Sequence, residues 1–178
     1  MFGYPRNSLF RKTHGGIAVM HPSGLDIVLR PLRATDRSIL ADHLRRLSPD
    51  DRRTRFFHQM NDAAIQRYCD EINWQAAFLV GAFVSGSLRG VGELVPEGGE
   101  GTAEIAVTVE QEWRHAALGR ILVAALLVVA EERGLKSAKL LFLRENSAMR
   151  KLVADIGARL TAASGVTEAQ VDFRPDPR

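Results

Sequence analysis

The residues able to do chemistry gather in one stretch, Glu104 to Leu127, EIAVTVEQEWRHAALGRILVAALL. It opens on a carboxylate, Glu104, at the head of an apolar alternation. It then passes a turn carrying Arg114, His115, the glycine at 119 and Arg120, and enters an apolar run. A strand that feeds a turn and then a helix leaves several backbone N–H groups without intrahelical partners, at the helix end that carries partial positive charge. Such a turn can hold an anion, typically a phosphate. An ordinary strand-to-helix turn with no ligand is the plainer reading of the same residues. A carboxylate in a mostly apolar cleft has its pKa raised and can take a proton from a nucleophile, directly or through water. Glu104 is the first candidate for that work, and Glu93, one strand earlier, is the second. Alternation sets Glu93 on one face with Val91 and Val95, and Glu104 on one face with Ala106 and Thr108. Whether these are the same face depends on the register between the strands. Either carboxylate could instead be a solvated strand-end charge.

The elements that must position these residues follow from periodicity and breakers. Residues 1–24 are broken by Pro5, Gly15, Gly16, Pro22 and Gly24 and read as an irregular N-terminal arm or extension. Leu25 to Arg30 reads as a strand. Thr35 or Asp36 can cap a helix that runs to Leu47, with Ile39, Leu40, Leu44 and Leu47 inward. Ser48-Pro49-Asp50-Asp51 starts a second helix, with Ser48 as cap and Pro49 at the first position. Asn61 or Asp62 caps a third, Ala63 to Glu71. The pattern then turns extended: Ala76 to Val84, a turn at Ser85-Gly86-Ser87, Leu88 to Val95, a glycine-rich loop, and Thr102 to Val109. Leu118 to Arg133 is a helix stopped by Gly134. Its length suits a crossover to a parallel strand at Lys136 to Leu143. A short helix, Asn146 to Asp155, and two last strands follow, and residues 175–178 form a tail. The expected class is α+β: a central mixed, mostly antiparallel sheet flanked by helices on both faces, in a single domain over residues 25–174.

Bulk composition narrows the function classes. The 178 residues carry a net charge of +3, too mild to argue for a nucleic-acid partner. The arginine run Arg45-Arg46 and Arg52-Arg53-Thr54-Arg55 has Asp50 and Asp51 beside it. It reads as a solvated helix face, or else as a basic lip that attracts an anionic cofactor. Cys69 is the only cysteine, so no internal disulfide can form, and it is expected to pack as a small hydrophobe. The longest apolar run, Ile121 to Ala130, is about half of the roughly 20 residues that span a bilayer. No membrane partner and no metal are called for. No apolar core follows Arg6, Arg11 and Lys12, so no signal peptide is read and a cytoplasmic location is expected.

The order of elements, with the segment AEIAVTVEQEWRHAALGRILVAAL, resembles the GNAT superfamily of N-acetyltransferases. The later segment ENSAMRKLVADIGARL resembles that family's late helix. The opening LRPLRATDRSILADHLRRLSPDDRRTRFF is similar to the GNAT domain of bacterial protein lysine acetyltransferases. The likeness runs from Leu25 to about Phe173. It implies acetyl-CoA as cosubstrate, a primary amine as acceptor (a protein lysine or a small molecule), and direct attack without a covalent intermediate. A degenerate domain that senses acetyl-CoA is the alternative. In the family, amides of the turn hold the pyrophosphate; here that turn is Arg114, His115, Ala116, Ala117, Leu118, Gly119 and Arg120. Arg114 and Gly119 match the pattern, while Ala117 stands where a glycine is usual and Ala116 where a basic residue is common. An alanine fits at 117 if its φ is negative, as on entering a helix. The resemblance makes Glu104 the general base and a main-chain N–H of Val107 or Val109 the donor to the thioester oxygen. Thr108 between them joins the cofactor wall, as do Asn146 and Met149 of the late helix; Asn146 also reads as a plain N-cap. The tyrosine that serves many members as general acid is replaced by Val153. Exposed final strands support dimers in this family, so a homodimer is compatible with the likeness.

Overall fold

Alternating apolar segments build one sheet in the computed structural model, which describes residues 10–13, 16–20, 24–98, 101–163 and 165–173. Among the described residues its strands are β1 (Phe10–Thr13), β2 (Gly16–Met20), β3 (Asp26–Pro31), β4 (Phe78–Val84), β5 (Ser87–Pro96), β6 (Thr102–Val109), β7 (Ser137–Leu143), β8 (Arg159–Ala163) and β9 (Val166–Asp172). Their spatial order is β1-β2-β3-β4-β5-β6-β7-β9-β8. The helices are α1 (Arg37–Arg46), α2 (Pro49–Phe56), α3 (Asp62–Glu71), α4 (Leu118–Glu132) and α5 (Ser147–Asp155). Every strand pair is antiparallel except β6 with β7, which the α4 crossover makes parallel. This is the mixed, mostly antiparallel sheet with helices on both faces that the sequence led us to expect.

Two stretches depart from the sequence reading. Part of the supposedly irregular arm is paired structure: β1 and β2 extend the sheet, with Ile17, Ala18 and Val19 opposite Leu29, Val28 and Ile27. Val19 is buried in the main core. Glycines 15 and 16 were read as breakers although Gly16 opens a strand. The tail at 175–178 lies outside the described residues. At α1, neither Thr35 nor Asp36 supplies a cap bond. The Asp36 carboxylate is taken by Arg33 N at 2.9 Å and by the Arg30 guanidinium at 2.8 and 2.9 Å. The other expected caps form: Ser48 Oγ accepts from Asp51 N at 3.1 Å, and Asn61 Oδ1 from Ala64 N at 2.8 Å.

Each face of the sheet has its own core. Ala103 and Ile105 of β6, Leu94 of β5 and Val80, Ala82 and Val84 of β4 meet α4. Leu118, Leu122 and Leu126 of that helix are fully buried, each contributing about 2 kcal/mol. The helix lies close because β5 places glycines beneath it at 90 and 92: a Cβ at Gly92 would fall 2.8 Å from Leu126 Cδ1. The opposite face, through Leu79, Leu88 and Val91, packs on Leu40 and Leu44 of α1 and Ile65 and Cys69 of α3. Cys69 is the packed hydrophobe expected of it; burial, helped by the charge of Glu93, pushes its thiol up to about 11. The sheet thus fixes β6 as a central strand, with Ile105 facing α4 and Glu104 facing the early helices.

Candidate active site

The site begins where two strands part. β6 and β7 pair only from Thr102 with Ser137 to Ile105 with Leu140. β6 then stays on β5 as far as Val109 with Gly90, while β7 stays on β9 as far as Leu143 with Val166. The divergence opens a cleft of about 660 Å³ between them. Backbone direction alternates along a strand. Glu110 N bonds Arg89 O on the β5 side, and Gly101 O takes Lys136 N on the β7 side. The N–H groups of Val107 and Val109 therefore point towards β7, into the gap. α2 lies across the opening, with Asp51 paired to Arg114 on one side and Arg53 Nη2 3.8 Å from Glu145 on the other.

Past the parted end of the strand the chain makes a 3-10 turn, Gln111–Ala116, before α4. Ile121 N to Ala117 O, at 3.1 Å, carries the first backbone bond of the helix, so the N–H groups of Leu118, Gly119 and Arg120 lie outside the ladder. Arg114, Ala117, Gly119 and Arg120 line the cleft. His115 is exposed and lies off the cleft wall, and the side chains of Ala116 and Leu118 are buried in the core, anchoring the turn from beneath. Arg120 Nη1 is 3.4 Å from Asp155 Oδ2. Ala117 corrects the sequence reading: its φ is +53° and its ψ 19°, the left-handed region, where an L-residue costs roughly 1–2 kcal/mol. The turn keeps a glycine-type conformation without the glycine, because the 3-10 segment must reverse at 117 to enter α4. Gly119 is different. A Cβ there would meet nothing nearer than Leu152 Cδ1 and Val109 Cγ2, both at 3.8 Å. The protein itself leaves room for a side chain at 119.

The register answers the question of the two carboxylates. Glu93 opposes Ala106 and Val95 opposes Glu104, so Glu93 and Glu104 share the face towards the early helices and lie diagonal to one another. Their settings differ. Glu104 lines the cleft, half-buried, and none of the described residues donates a hydrogen bond to its carboxylate. Burial raises its pKa; Arg55 opposes the rise, and Glu97 and Glu93 add to it. Glu93 is 2% exposed and stands off the cleft wall. Tyr68 Oη donates to its Oε2, and Arg55 Nη2 is 3.1 Å from its Oε1. Burial of Arg55 pulls its pKa down most strongly, but the charge and hydrogen bond of Glu93 together with the charges of Tyr68 and Glu104 outweigh it and hold the guanidinium above its ordinary value. Burial and Glu93 together raise the Tyr68 phenol.

Asn146 and Met149 both line the cleft, and Asn146 is at the same time the cap of α5, its Oδ1 accepting from Met149 N at 3.1 Å. Val153 is fully buried and presents no proton donor. Thr108 lines the cleft. Its hydroxyl lies 2.9 Å from Nε2 of His43, a residue that sequence reasoning passed over. His43 Nδ1 is 3.1 Å from Glu110 Oε1, which also accepts from Arg46 Nε at 2.8 Å, while Arg89 Nη1 reaches Oε2 at 2.9 Å. Burial alone would raise the Glu110 pKa, but the bonds from His43, Arg89 and Arg46 bring it down to about 2. A signal for His43 was present: it falls on the apolar stripe of α1 beside Leu40 and Leu44. The arginine run is only in part a solvated face, with Arg46 and Arg53 each 42% exposed. Arg46 and Arg55 reach inward to carboxylates, and Arg52 clamps the carbonyls of Leu47 and Met60, each at 3.2 Å.

No helix among the described residues is long and apolar enough to cross a membrane. The chain is similar to known proteins over most of its length. An acetyltransferase of Pseudomonas aeruginosa is 30% identical over 140 residues, 75% of each chain. The crystal structure of the GNAT domain of S. lividans PAT superposes with a TM-score of 0.77 at 19% identity, covering 92% of this chain and 99% of that one. The PaiA N-acetyltransferase of Thermoplasma acidophilum, solved in complex with coenzyme A, superposes with a TM-score of 0.62 at 16% identity, covering 83% and 99%. The description of the Acetyltransferase (GNAT) family matches residues 41–157, a span that holds the parted strands, the turn before α4 and the late helix. On that match and the curated relative, the chain belongs to the GNAT family of acetyltransferases.

Proposed function

We propose that the protein moves an acetyl group from acetyl-CoA to a primary amine by direct attack, with Glu104 as general base. The observation that carries this is the position of Glu104: a desolvated carboxylate without a hydrogen-bonding partner among the described residues, lining the cleft where β6 and β7 begin to part. An ammonium must lose a proton before it attacks a thioester, and a carboxylate with a raised pKa is suited to take it. The N–H groups of Val107 and Val109 are the donors for the oxygen that gains charge. The amides of Leu118, Gly119 and Arg120 are the seat for the pyrophosphate, with Arg114 and Arg120 released from Asp51 and Asp155 to join them. The coenzyme A bound to the Thermoplasma relative supports that cofactor.

The acceptor side favours a cation. Glu93 and Glu104 outnumber the one guanidinium of Arg55 between them. Phe57, at the end of α2, lines the same cleft with 42% of its surface exposed and φ +61°, an unusual conformation for a bulky side chain. An alkyl chain ending in an ammonium fits such a wall, so a protein lysine is our preferred acceptor class and a small amine the second. The test is acetyl-CoA turnover against lysine peptides and small amines, comparing wild type with Glu104→Gln. Turnover that survives the substitution removes Glu104 as base. The absence of a donor at Val153 favours a second reading, an acetyl-CoA sensor. Calorimetric binding of acetyl-CoA with no turnover on any amine would favour it, and no binding would sink both.

A further inference from the structure

Three polar residues that the proposed amine transfer leaves idle form a relay ending in the cleft. Thr108 Oγ1 is 2.9 Å from His43 Nε2, and His43 Nδ1 is 3.1 Å from Glu110 Oε1. Glu110 is ionised and can only accept, so the imidazole keeps its proton on Nδ1. Nε2 is then left to accept the hydroxyl proton of Thr108. His43 is completely buried and Thr108 nearly so, yet Thr108 lines the cleft. The residues on either side of it, Val107 and Val109, turn their N–H groups into the gap. A nucleophile, a base hydrogen-bonded to it, a carboxylate that orients the base, and adjacent oxyanion donors are the parts of covalent acyl transfer.

We propose that Thr108, His43 and Glu110 form a second, covalent acyl-transfer relay, which takes the acetyl group onto Thr108 when no amine is bound and releases it to water. This rests on the reading of acetyl-CoA as donor. Thr108 Oγ adds to the thioester carbonyl carbon as its proton passes to His43 Nε2. The C–S bond breaks, and the CoA thiolate leaves with that proton, giving the acetyl ester of Thr108 and free CoA. Water then adds to the ester carbonyl while His43 takes one of its protons; the bond from the acyl carbon to Thr108 Oγ breaks, His43 returns the proton to that oxygen, and acetic acid departs with the other. The reaction is slow for two reasons. An imidazolium at fully buried His43 stands close to the Glu110-bound guanidiniums of Arg46 and Arg89, and the charge of Glu110 is shared among three donors.

The test uses the full chain with two acyl donors and no amine: acetyl-CoA, and p-nitrophenyl acetate, which requires no CoA site. The expected result is release of thiol or nitrophenol above the blank, with an acetyl ester mapped to Thr108 by mass spectrometry. Thr108→Ser keeps the adduct and Thr108→Val loses it. His43→Gln slows release roughly a hundredfold, at the lower end of what a placed general base contributes. A wild-type protein that binds acetyl-CoA by calorimetry but forms no ester at Thr108 with either donor overturns the relay, whatever the variants do. Nitrophenol release with an ester at Thr108, from a protein that does not bind acetyl-CoA, would leave the relay standing and overturn the acetyltransferase reading instead.

Discussion

Strand β6 has a glutamate at each end, and the fold treats them in opposite ways. Glu104 lies half-buried near the start of the strand, just before β6 and β7 part, with no donor among the described residues, and burial raises its pKa. Glu110, just past the other end, is 6% exposed, yet three donors bring it down to about 2. The more buried carboxylate is the more firmly ionised. Hydrogen bonds, not depth, decide the sign. The Glu104 end is left unfinished and so is available for chemistry, whereas the Glu110 end ties α1, β5 and β6 together beside the turn. A pair of carboxylates whose surroundings push their pKa values apart is a usual mark of divided roles.

The sharpest way to break this contrast is Glu104→Gln. Removing a placed general base is expected to lower kcat/KM for amine acetylation roughly a hundredfold to ten-thousandfold. The pH profile carries the same signature. Wild-type activity should rise with pH through a step above the ordinary carboxylate range, and the variant should lose that step. Stability moves the other way. A carboxylate with a raised folded pKa costs stability once pH exceeds its unfolded value, and the full cost is present above its folded value. Glu104→Gln removes that cost, so its Tm near neutral pH should rise slightly. A variant that is both less stable and fully active would mean that Glu104 is a structural charge.

Glu110→Gln should do the reverse. It leaves His43, Arg46 and Arg89 facing a neutral amide, a loss of about 2–3 kcal/mol once the partial exposure of both arginines is allowed for. Since the folded pKa lies below the unfolded one, the contribution of Glu110 is complete above its unfolded value and is lost as pH falls towards about 2. Urea melts at neutral and acid pH check this: the gap between wild type and variant should close in acid. An unchanged gap would move the stabilisation elsewhere in the network.

The contrast also marks what could be read from the sequence. The order of elements, the apolar face of α4 and the caps at Ser48 and Asn61 depend on neighbours in sequence, and periodicity exposes them. The shared face of Glu93 and Glu104 depends on the β5–β6 register, which no local pattern encodes. His43 and Glu110 are 67 residues apart, so only folding reveals their bond. Arg46, Arg52 and Arg55 reach carboxylates and carbonyls that composition does not show, because it does not say where a guanidinium ends. Ala117 misled for another reason. Its φ is set by the 3-10 turn that precedes it, and the sequence suggested a direct entry into the helix.

The turn after Glu110 tests whether the ordered end of the strand also serves a ligand. Gly119→Ala adds a Cβ that the protein has room for, so stability should hold or rise slightly. A bound pyrophosphate needs that space, and calorimetry should show acetyl-CoA binding about tenfold weaker, or about 1.4 kcal/mol. Unchanged affinity would move the anion off the turn.

Ala117→Gly is the smallest and most discriminating change. The alanine pays for a left-handed φ of +53°, and glycine relieves this at some entropic cost in the unfolded chain, a net gain of about 1 kcal/mol in thermal melts. If the strain exists only because the chain must reverse before α4, stability should rise and acetyl-CoA affinity should stay level. If the alanine instead holds the amides of residues 118–120 in place for the phosphate, glycine will loosen them, and affinity will fall although the protein is more stable. The second outcome would mean that the ordered end of β6 keeps its one strained residue for the ligand, and that the two ends of the strand differ in chemistry but not in purpose.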